Sequence, residues 1–295
     1  MTQNFMLRIL FCALLLGTVN CSAKSEEPPK PKPESGLAAE GELRCISFNV
    51  RRQGSETNDQ DRWEVRRYAV VKMIEQEKPS IMGIQEGKIE QVRWIEENCS
   101  EYARFGVGRN DGNESGEMMA VFYRRELYEK LESGTFWLSE TPDVPSTGWD
   151  TKIYRSTTWL RMKEKATGKE FYFIDTHFDH KGEIARRESA LLVAAWIEEN
   201  VPDGMTVILC GDFNSNTDDP IFDPLKKILL VARDVAPVTD YEGTFNGFGT
   251  VDDVRILDHF FFRKAEALSL KVLRNDYGAD YISDHYPVVF HCRLP

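Results

Sequence analysis

The stretch ILCGDFNSN, residues 208–216, runs from an apolar segment into two polar side chains. Residues 208–211 have the character of a buried strand, and Asp212 and Asn214 stand at its end. Alternate residues of an extended segment point to the same side, so Asp212 and Asn214 are expected to face one point in space. This pattern predicts a binding or catalytic site there. The alternative is an ordinary turn, since Gly, Asp and Asn all favour turns.

The first 41 residues differ in composition from the rest of the chain. Residues 1–21 carry Arg8 before a short apolar run and end at Cys21, which is typical of a secretory signal. Cys21 also predicts a lipoprotein-type site, at which a lipid on that cysteine would attach the protein to a membrane. Plain cleavage after Cys21 is the alternative. Residues 22–41 are rich in Pro, Glu, Lys and Ser and predict a flexible tether.

These features predict an exported protein with one folded domain. Residues 42–295 are enough for a single large domain, and no second linker interrupts them. The expected location is the periplasm, or the outer membrane or surface of a Gram-negative cell, with a lipid anchor at Cys21.

The charge balance bears on the partner. The chain has 37 Lys and Arg against 48 Asp and Glu, a formal net charge of −11. Proteins that grip duplex DNA usually carry a basic face, so the charge disfavours a duplex endonuclease. An acidic site that binds phosphate is expected to need a metal ion to reverse the local charge. The cysteines after residue 21 match no zinc pattern, and no disulfide can be assigned.

Hydrophobic periodicity predicts alternating strands and helices together with tight strand pairs. Strands are predicted over residues 43–50, 80–86, 118–124, 156–163, 170–178, 206–214, 253–263 and 286–292. Helices are predicted over residues 61–77, 88–97 and 183–200. The alternation favours an α/β fold with a large, double sheet. Arg66 and Arg67, on the first helix, are expected at its surface.

Polar residues occur where these predicted strands end, which is where ligand sites of α/β folds gather. The further members of this set are Asn49, Glu86, His177, Asp284 and His285. Each has an ordinary alternative when taken alone. Asn49 can be a turn residue, Glu86 a first-turn helix acid, and His177 a hydrogen-bonded core histidine.

Taken in order, the motifs resemble those of the endonuclease/exonuclease/phosphatase superfamily, which has the fold of pancreatic deoxyribonuclease. The matching motifs are SFNV with Asn49, IQE with Glu86, GEMMAVFYR with Glu117 and Tyr123, DTHF with His177, GDFN with Asp212 and Asn214, ILDHFF with Asp258, and SDHYP with Asp284 and His285. The resemblance covers residues 43–292. It implies a four-layer sandwich of two mixed β-sheets flanked by helices, and an enzyme that hydrolyses phosphate esters.

The resemblance also implies a divalent metal. Glu86 would be a ligand, with Asn49 adjacent and Asp284 near the same position. Mg²⁺ fits such hard oxygen ligands, and Mn²⁺ is the expected substitute. Asp212 would orient and deprotonate the attacking water, a contribution typically worth roughly 10²–10⁴ in rate.

Further roles follow from the same resemblance. Asn214 and His177 would donate hydrogen bonds to the phosphoryl oxygens. His285, paired with Asp258, would hold the phosphate as a cation or act as an acid, because a carboxylate favours the charged imidazole. Glu117 would do the same for His177.

Two further candidates are Tyr123 and Arg155. Tyr123 matches a family tyrosine that can reach the phosphate, and a core aromatic is the alternative. Arg155 stands just before a strand that should reach the site, where an arginine can clamp a phosphate with two hydrogen bonds.

The leading expectation is an exported, metal-dependent phosphodiesterase of nuclease-like type. Enzymes of other specificity are the main alternatives, namely an inositol-phosphate-type phosphomonoesterase or a sphingomyelinase-type lipid hydrolase. The substrate would be a nucleic acid, a sugar phosphate or a phospholipid headgroup, and no protein partner is predicted. An inactive surface binding module is the alternative from another class, and the intact set of site residues disfavours it.

Overall fold

The computed structural model describes residues 36–253 and 255–295. The strands are β1 Glu42–Asn49, β2 Ile81–Gly87, β3 Tyr102–Phe105, β4 Met118–Arg124, β5 Tyr128–Trp137, β6 Ser156–Glu164, β7 Glu170–His177, β8 Thr206–Asp212, β9 Leu230–Val231, β10 Val238–Thr239, β11 Asp258–Arg263, β12 Glu266–Val272 and β13 Val288–Arg293. The α-helices are α1 Trp63–Glu77, α2 Ile89–Asn98, α3 Glu183–Asn200, α4 Asp223–Ile228 and α5 Ala232–Val235. Short 3₁₀ helices cover Asp59–Asp61, Pro220–Phe222 and Gly247–Gly249.

The strands form two sheets. One has the order β10-β12-β13-β1-β2-β4-β3, and the other has the order β5-β6-β7-β8-β11-β9. Both are mixed, because β1 runs parallel to β2 and β7 parallel to β8 while their other neighbours are antiparallel. The predicted pair of mixed sheets is confirmed.

Three apolar layers hold the fold together. The central layer lies between the sheets and includes Phe173 and Phe290. A second layer joins β1 and β2 to α1 and α2, and a third joins β7 and β8 to α3 and α4. Burying each large apolar side chain is worth roughly 1.5–3 kcal/mol. The layers therefore run helix, sheet, sheet, helix, as the resemblance implied.

Most of the predicted elements are found. The helix predicted over 183–200 is observed as Glu183–Asn200. The strand predicted from residue 253 begins only at Asp258. The sequence pattern did not indicate β3, β5 or β12. The strand β5 lies at a sheet edge, and most of its residues are partly exposed. Its charged residues therefore interrupt the alternation of apolar and polar residues that would predict a strand.

The prediction that Arg66 lies on the surface of its helix is wrong. Its side chain is fully buried, whereas Arg67 keeps its guanidinium over the Trp94 ring, 3.8 Å from the ring centre. Helical periodicity cannot reveal Arg66 as buried, because its burial comes from loops distant in sequence that cover the helix start.

The segments predicted to direct export fall largely outside the described residues. Residues 1–21 and most of residues 22–41 belong to the part that is not described. The division into signal, tether and domain stays a prediction. Among the described helices, none has the length and hydropathy that crossing a membrane requires.

Candidate active site

Strand register brings the predicted polar residues to one end of the two sheets. His177 is the partner of Asp212 in the parallel β7–β8 ladder. Asp258 is the partner of Asp212 in the antiparallel β8–β11 ladder. In the facing sheet, Asn49 at the end of β1 pairs with Gln85. Asn49 Nδ2 reaches across to Asp212 Oδ2 at 2.9 Å, so the two sheets share one site.

One half of the site offers oxygen ligands for a cation. Asn49 Nδ2 also donates to Glu86 Oε1 at 3.1 Å. The guanidinium of Arg51 lies 3.3 Å from Asp284 Oδ2 and 3.9 Å from Glu86 Oε2. The two carboxylates therefore converge on a common positive charge. The two carboxylates are hard oxygen donors that suit a divalent ion, whereas the carboxamide oxygen of Asn49 accepts the N–H of Arg51 at 3.0 Å.

Glu86 is aimed into this site by an irregular backbone. Its φ is 63°, and the β2–β4 register shifts between Ile84 and Gly87. Bulges of this kind re-aim a side chain next to active sites. A left-handed residue other than glycine costs on the order of 1–3 kcal/mol, so the surrounding structure must hold it. Burial by itself would raise the pKa of Glu86, but Arg51 and Asn49 outweigh burial and lower the pKa.

Asp212 lies at the centre of the other half. Its Oδ2 is 3.5 Å from His177 Nε2 and 3.7 Å from His285 Nε2. Its Oδ1 accepts the N–H of Asn214 at 3.0 Å. Burial raises the pKa of Asp212 to about 7, even though the positive charge of His285 opposes the shift. Asp212 is therefore placed to take a proton near neutral pH.

His285 forms the predicted pair with Asp258. Its Nδ1 lies 2.8 Å from Asp258 Oδ2, and the Phe245 ring packs edge-on against the imidazole at 5.0 Å. Burial would lower the pKa of His285, but the carboxylates of Asp258 and Asp212 raise it to about 10. The imidazole is therefore a cation at neutral pH.

The same residues are a second candidate position for a metal. Ligand atoms of Asp212, Asp258 and His285 lie within 4.8 Å of one another. However, the hydrogen bond between His285 and Asp258 already uses one ligand atom of each. We therefore favour the position beside Glu86 and Asp284, where two carboxylates point at a cation and are not bonded to an imidazole.

His177 is a neutral imidazole. Burial lowers its pKa well below the ordinary value, and the nearby charges of Arg155 and Arg109 lower it further. Its Nε2 lies 3.2 Å from Asn214 Nδ2. Because an amide nitrogen only donates, Nε2 is the acceptor in this contact, and donation from Nε2 to a phosphate oxygen requires the neutral tautomer that carries its proton on Nε2.

The route by which Asn214 reaches Asp212 differs from the prediction. The strand β8 ends at Asp212, and Asn214 has a left-handed φ of 52°. A turn therefore brings the two together, whereas the sequence argument assumed strand alternation. Asparagine is one of the residues that tolerate this conformation and hydrogen-bond their own turn.

The predicted pairing of Glu117 with His177 is wrong. Glu117 Oε2 lies 2.7 Å from Arg109, and its Oε1 lies 3.2 Å from Arg52. His177 Nδ1 has no hydrogen-bond partner among the described residues. Glu117 forms ion pairs with these two arginines because their charges are opposite. These arginines, and Arg51, were not predicted as site residues, although Arg51 and Arg52 come two and three residues after Asn49 in the sequence.

The prediction that Tyr123 reaches the phosphate is also wrong. Tyr123 pairs with Ile81, whereas Met118 pairs with Gly87 next to the site. Tyr123 is five positions beyond Met118 along the strand, which is about 16 Å at the usual rise. Tyr123 packs against the apolar layer between the sheets.

Arg155 directly precedes the first residue of β6, beside the end of β7. It is 4% exposed, with Nε 3.5 Å from Asp179 Oδ2 and Nη2 3.1 Å from His180 Nδ1. Its charge acts on His177, as the lowered pKa of that residue indicates. Its role as a phosphate clamp stays a prediction.

Two mixed sheets that deliver carboxylates, a charged His–Asp pair and arginines to one shared end define a phosphoester hydrolase. Residues 46–285 match the model of the Endonuclease/Exonuclease/phosphatase family. The chain belongs to this family, whose enzymes generally depend on a divalent metal.

Solved structures share the whole fold. The endonuclease/exonuclease/phosphatase of Bacteroides vulgatus superposes with a TM-score of 0.80 at 34% identity, covering 86% of this chain and 99% of that chain. The mannosyl-6-phosphatase of Bacteroides thetaiotaomicron VPI-5482 also has a TM-score of 0.80 at 34% identity, covering 85% of this chain and 100% of that chain. A protein of Acanthamoeba polyphaga mimivirus is 28% identical, covering 77% of this chain and 91% of the viral protein. The similarity therefore extends well beyond the site motifs.

Proposed function

We propose that the protein is a divalent-metal-dependent phosphomonoesterase that releases phosphate from a phosphorylated sugar. The observation that carries this proposal is the positive charge beside a neutral His177. The buried guanidinium groups of Arg155 and Arg109 both act on that imidazole, and each also faces a carboxylate, Asp179 at 3.5 Å and Glu117 at 2.7 Å respectively. A terminal phosphate carries about −1.5 to −2 charge at pH 7, more than the single charge of a diester. Such a cluster suits a terminal phosphate.

The similarity to a sugar phosphatase supports the same reading. The mannosyl-6-phosphatase shares 34% of its residues with this chain and is covered over its full length. The sequence alone favoured a phosphodiesterase and kept a phosphomonoesterase as an alternative. The arginines near His177 and the similarity to this relative now favour the phosphomonoesterase over the phosphodiesterase.

The residues divide the reaction between them. Glu86 and Asp284 would hold the ion, with Asn49 adjacent, and Mg²⁺ is the best fit with Mn²⁺ a substitute. When bound, the ion supplies positive charge against the phosphate oxygens. Asp212 Oδ2 takes the proton of the attacking water, since its raised pKa suits a general base near neutral pH.

The remaining polar groups stabilise the charge that develops. The imidazolium of His285, oriented by Asp258, donates from Nε2 to a phosphate oxygen or to the leaving hydroxyl. Neutral His177 and Asn214 donate hydrogen bonds to the other oxygens. Donors that are fixed before the reaction need no reorganisation during it.

We also propose that the protein is exported and anchored through a lipid on Cys21. The support is the composition of residues 1–41 alone. Fractionation of producing cells tests this proposal. The wild type is expected in the membrane fraction and a Cys21→Ser variant outside it. A wild type found only in the cytosol would contradict export.

The function is tested with paired substrates. The full chain is assayed on mannose 6-phosphate, p-nitrophenyl phosphate and bis-(p-nitrophenyl) phosphate, with Mg²⁺, with Mn²⁺ and with EDTA. We expect metal-dependent release of phosphate from both monoesters and little turnover of the diester. Asp212→Asn is the control and should lower turnover by roughly 10²–10⁴. Turnover of the diester alone would overturn the proposal and favour a phosphodiesterase, as the sequence alone predicted.

A further inference from the structure

Arg66 is a buried charge that the proposed reaction does not use. It lies on α1 with 0% of its surface exposed, and its ionic partner Glu56 is 3.2 Å away with a side chain only 2% exposed. Burying an ion pair costs several kcal/mol per ion before its contacts are counted. Burial lowers the pKa of Arg66, while Glu56 opposes that shift. The many hydrogen bonds of its guanidinium explain how the charge is tolerated.

Those hydrogen bonds go to main-chain carbonyls of separate segments. Nη1 donates to Val50 O at 2.5 Å and to Ile282 O at 3.1 Å. Nη2 donates to Arg51 O at 2.7 Å, and Nε donates to Asp61 O at 2.8 Å. One side chain therefore joins the segment after β1 to the segment before β13.

The two joined segments carry metal-site residues. Val50 follows Asn49 directly, and Ile282 is two residues before Asp284. The two segments also touch each other, since Ser283 Oγ donates to Asn49 O at 2.7 Å. The distance between Asn49 and Asp284 thus depends on contacts made away from their own side chains.

The same guanidinium braces a strained residue. Arg51 has a left-handed φ of 52°, and its side chain reaches the carboxylates of the metal site. Its carbonyl accepts from Arg66 Nη2 at 2.7 Å and from Gln91 Nε2 at 2.9 Å. Strain of this kind persists only where the surroundings hold it.

We propose that Arg66 is a positioning residue for the metal site. It holds Asn49, Arg51 and Asp284 in register by donating to the backbone on both sides of the site. This inference rests on the proposed metal-dependent function. Groups that orient metal ligands from outside typically contribute about 10–100-fold to metal affinity or activity.

The test compares Arg66→Lys with Arg67→Lys in the full chain. The second variant is a matched control, because Arg67 is the next residue on the same helix and stacks on Trp94. Lysine keeps the charge but cannot reach several carbonyls at once. Binding of Mg²⁺ and Mn²⁺ is measured by titration calorimetry, and thermal melting without metal monitors the fold.

We expect Arg66→Lys to bind Mg²⁺ about 10–100-fold more weakly, and Arg67→Lys to bind as the wild type does. At saturating Mg²⁺ the kcat of Arg66→Lys should recover, because the groups that act on the phosphate are unchanged. A folded Arg66→Lys with unchanged Mg²⁺ affinity would overturn the inference. So would a kcat that stays low at saturating metal.

A second variant covers the case in which Arg66→Lys does not fold. Glu56→Gln weakens the ion pair that fixes Nη2, the nitrogen that also donates to Arg51 O, so the guanidinium is held less firmly on its carbonyls. We expect weaker Mg²⁺ binding than in the wild type, and an unchanged affinity in folded Glu56→Gln would overturn the inference. A wild type that binds neither Mg²⁺ nor Mn²⁺ would instead overturn the proposed metal-dependent function.

Discussion

At the scale of single residues, burial decides which site groups carry charge. Asp212 and His285 are both buried. Burial raises the pKa of Asp212, whereas the neighbouring carboxylates raise the pKa of His285 and outweigh the lowering that burial causes. His177 has no carboxylate bonded to its Nδ1 and stays neutral. One site therefore holds a base near neutral pH, a cation and a neutral donor. Their chemical differences come from neighbours rather than from residue type.

Replacing Asp212 by Asn should separate activity from stability. We expect kcat to fall by roughly 10²–10⁴, the usual contribution of a general base. Thermal stability should be unchanged or higher, since a carboxylate with a pKa raised by burial is lost. Phosphate release and a melting curve measure the two effects. A variant that keeps its kcat would show that another group activates the water.

Asp175 should make folding stability depend on pH. It is fully buried, with Oδ1 2.6 Å from Gln85 Nε2, and burial raises its pKa from 3.8 to about 8. Between these values the unfolded chain has lost the proton that the folded protein keeps. The stability from this group is therefore complete below about pH 4 and is lost as pH rises toward about 8, by up to about 1.4 kcal/mol per pH unit.

The variant Asp175→Asn tests that dependence. Asn keeps an oxygen for the Gln85 hydrogen bond and cannot ionise. We expect equal stability to the wild type near pH 4 and a more stable variant at pH 7, by up to about 4 kcal/mol. Urea unfolding across this range measures the difference. Parallel pH curves for the two proteins would mean that Asp175 ionises normally in the folded state.

At the scale of elements, position in the sheet decided which strands the sequence revealed. Central strands such as β8 are apolar throughout and were predicted with their polar ends. The edge strand β5 mixes exposed and buried residues, and the sequence did not predict it. The turn at Asn214 and the bulge at Glu86 were also not predicted, because each depends on tertiary contacts.

A close approach between the sheets should make Gly83 hard to replace. A Cβ built on Gly83 would lie 2.6 Å from Asp175 Cγ. We expect Gly83→Ala to destabilise the protein by about 1–3 kcal/mol through overpacking. Gly204→Ala is the matched control, since a Cβ there meets nothing within 4 Å. Equal urea midpoints for the two variants would contradict the close packing of β2 against β7.

At the scale of the whole molecule, the site belongs to both sheets. Asn49 and Glu86 lie on strands of the sheet that contains β1, and Asp284 precedes strand β13 of that sheet, whereas His177 and Asp212 lie on strands of the other. Glu86 and Asp284 are distant in sequence and converge only in the folded protein, so a ligand held by both binds that state alone. Such a ligand shifts folding toward the native state.

Divalent metal should therefore raise the melting temperature. At a Mg²⁺ concentration 100 times its Kd, the expected stabilisation is about 2.7 kcal/mol. EDTA should remove it, and a Glu86→Gln variant should show little of it. Differential scanning calorimetry measures the shift. An equal shift in Glu86→Gln would place the ion elsewhere, with the group of Asp212, Asp258 and His285 as the next candidate.

The sequence by itself determined the sandwich, the central strands and the polar residues at their ends. Apolar periodicity and short motifs are local, so they survive without knowledge of the partner strands. Only the tertiary structure decided that Glu117 faces Arg109 and that Arg66 is buried. It also decided that Tyr123 lies about 16 Å along β4 from Met118, the residue of that strand next to the site. Each of these depends on register or on loops distant in sequence. Pairing of charges and burial are properties of neighbours in space, which a single chain pattern does not record.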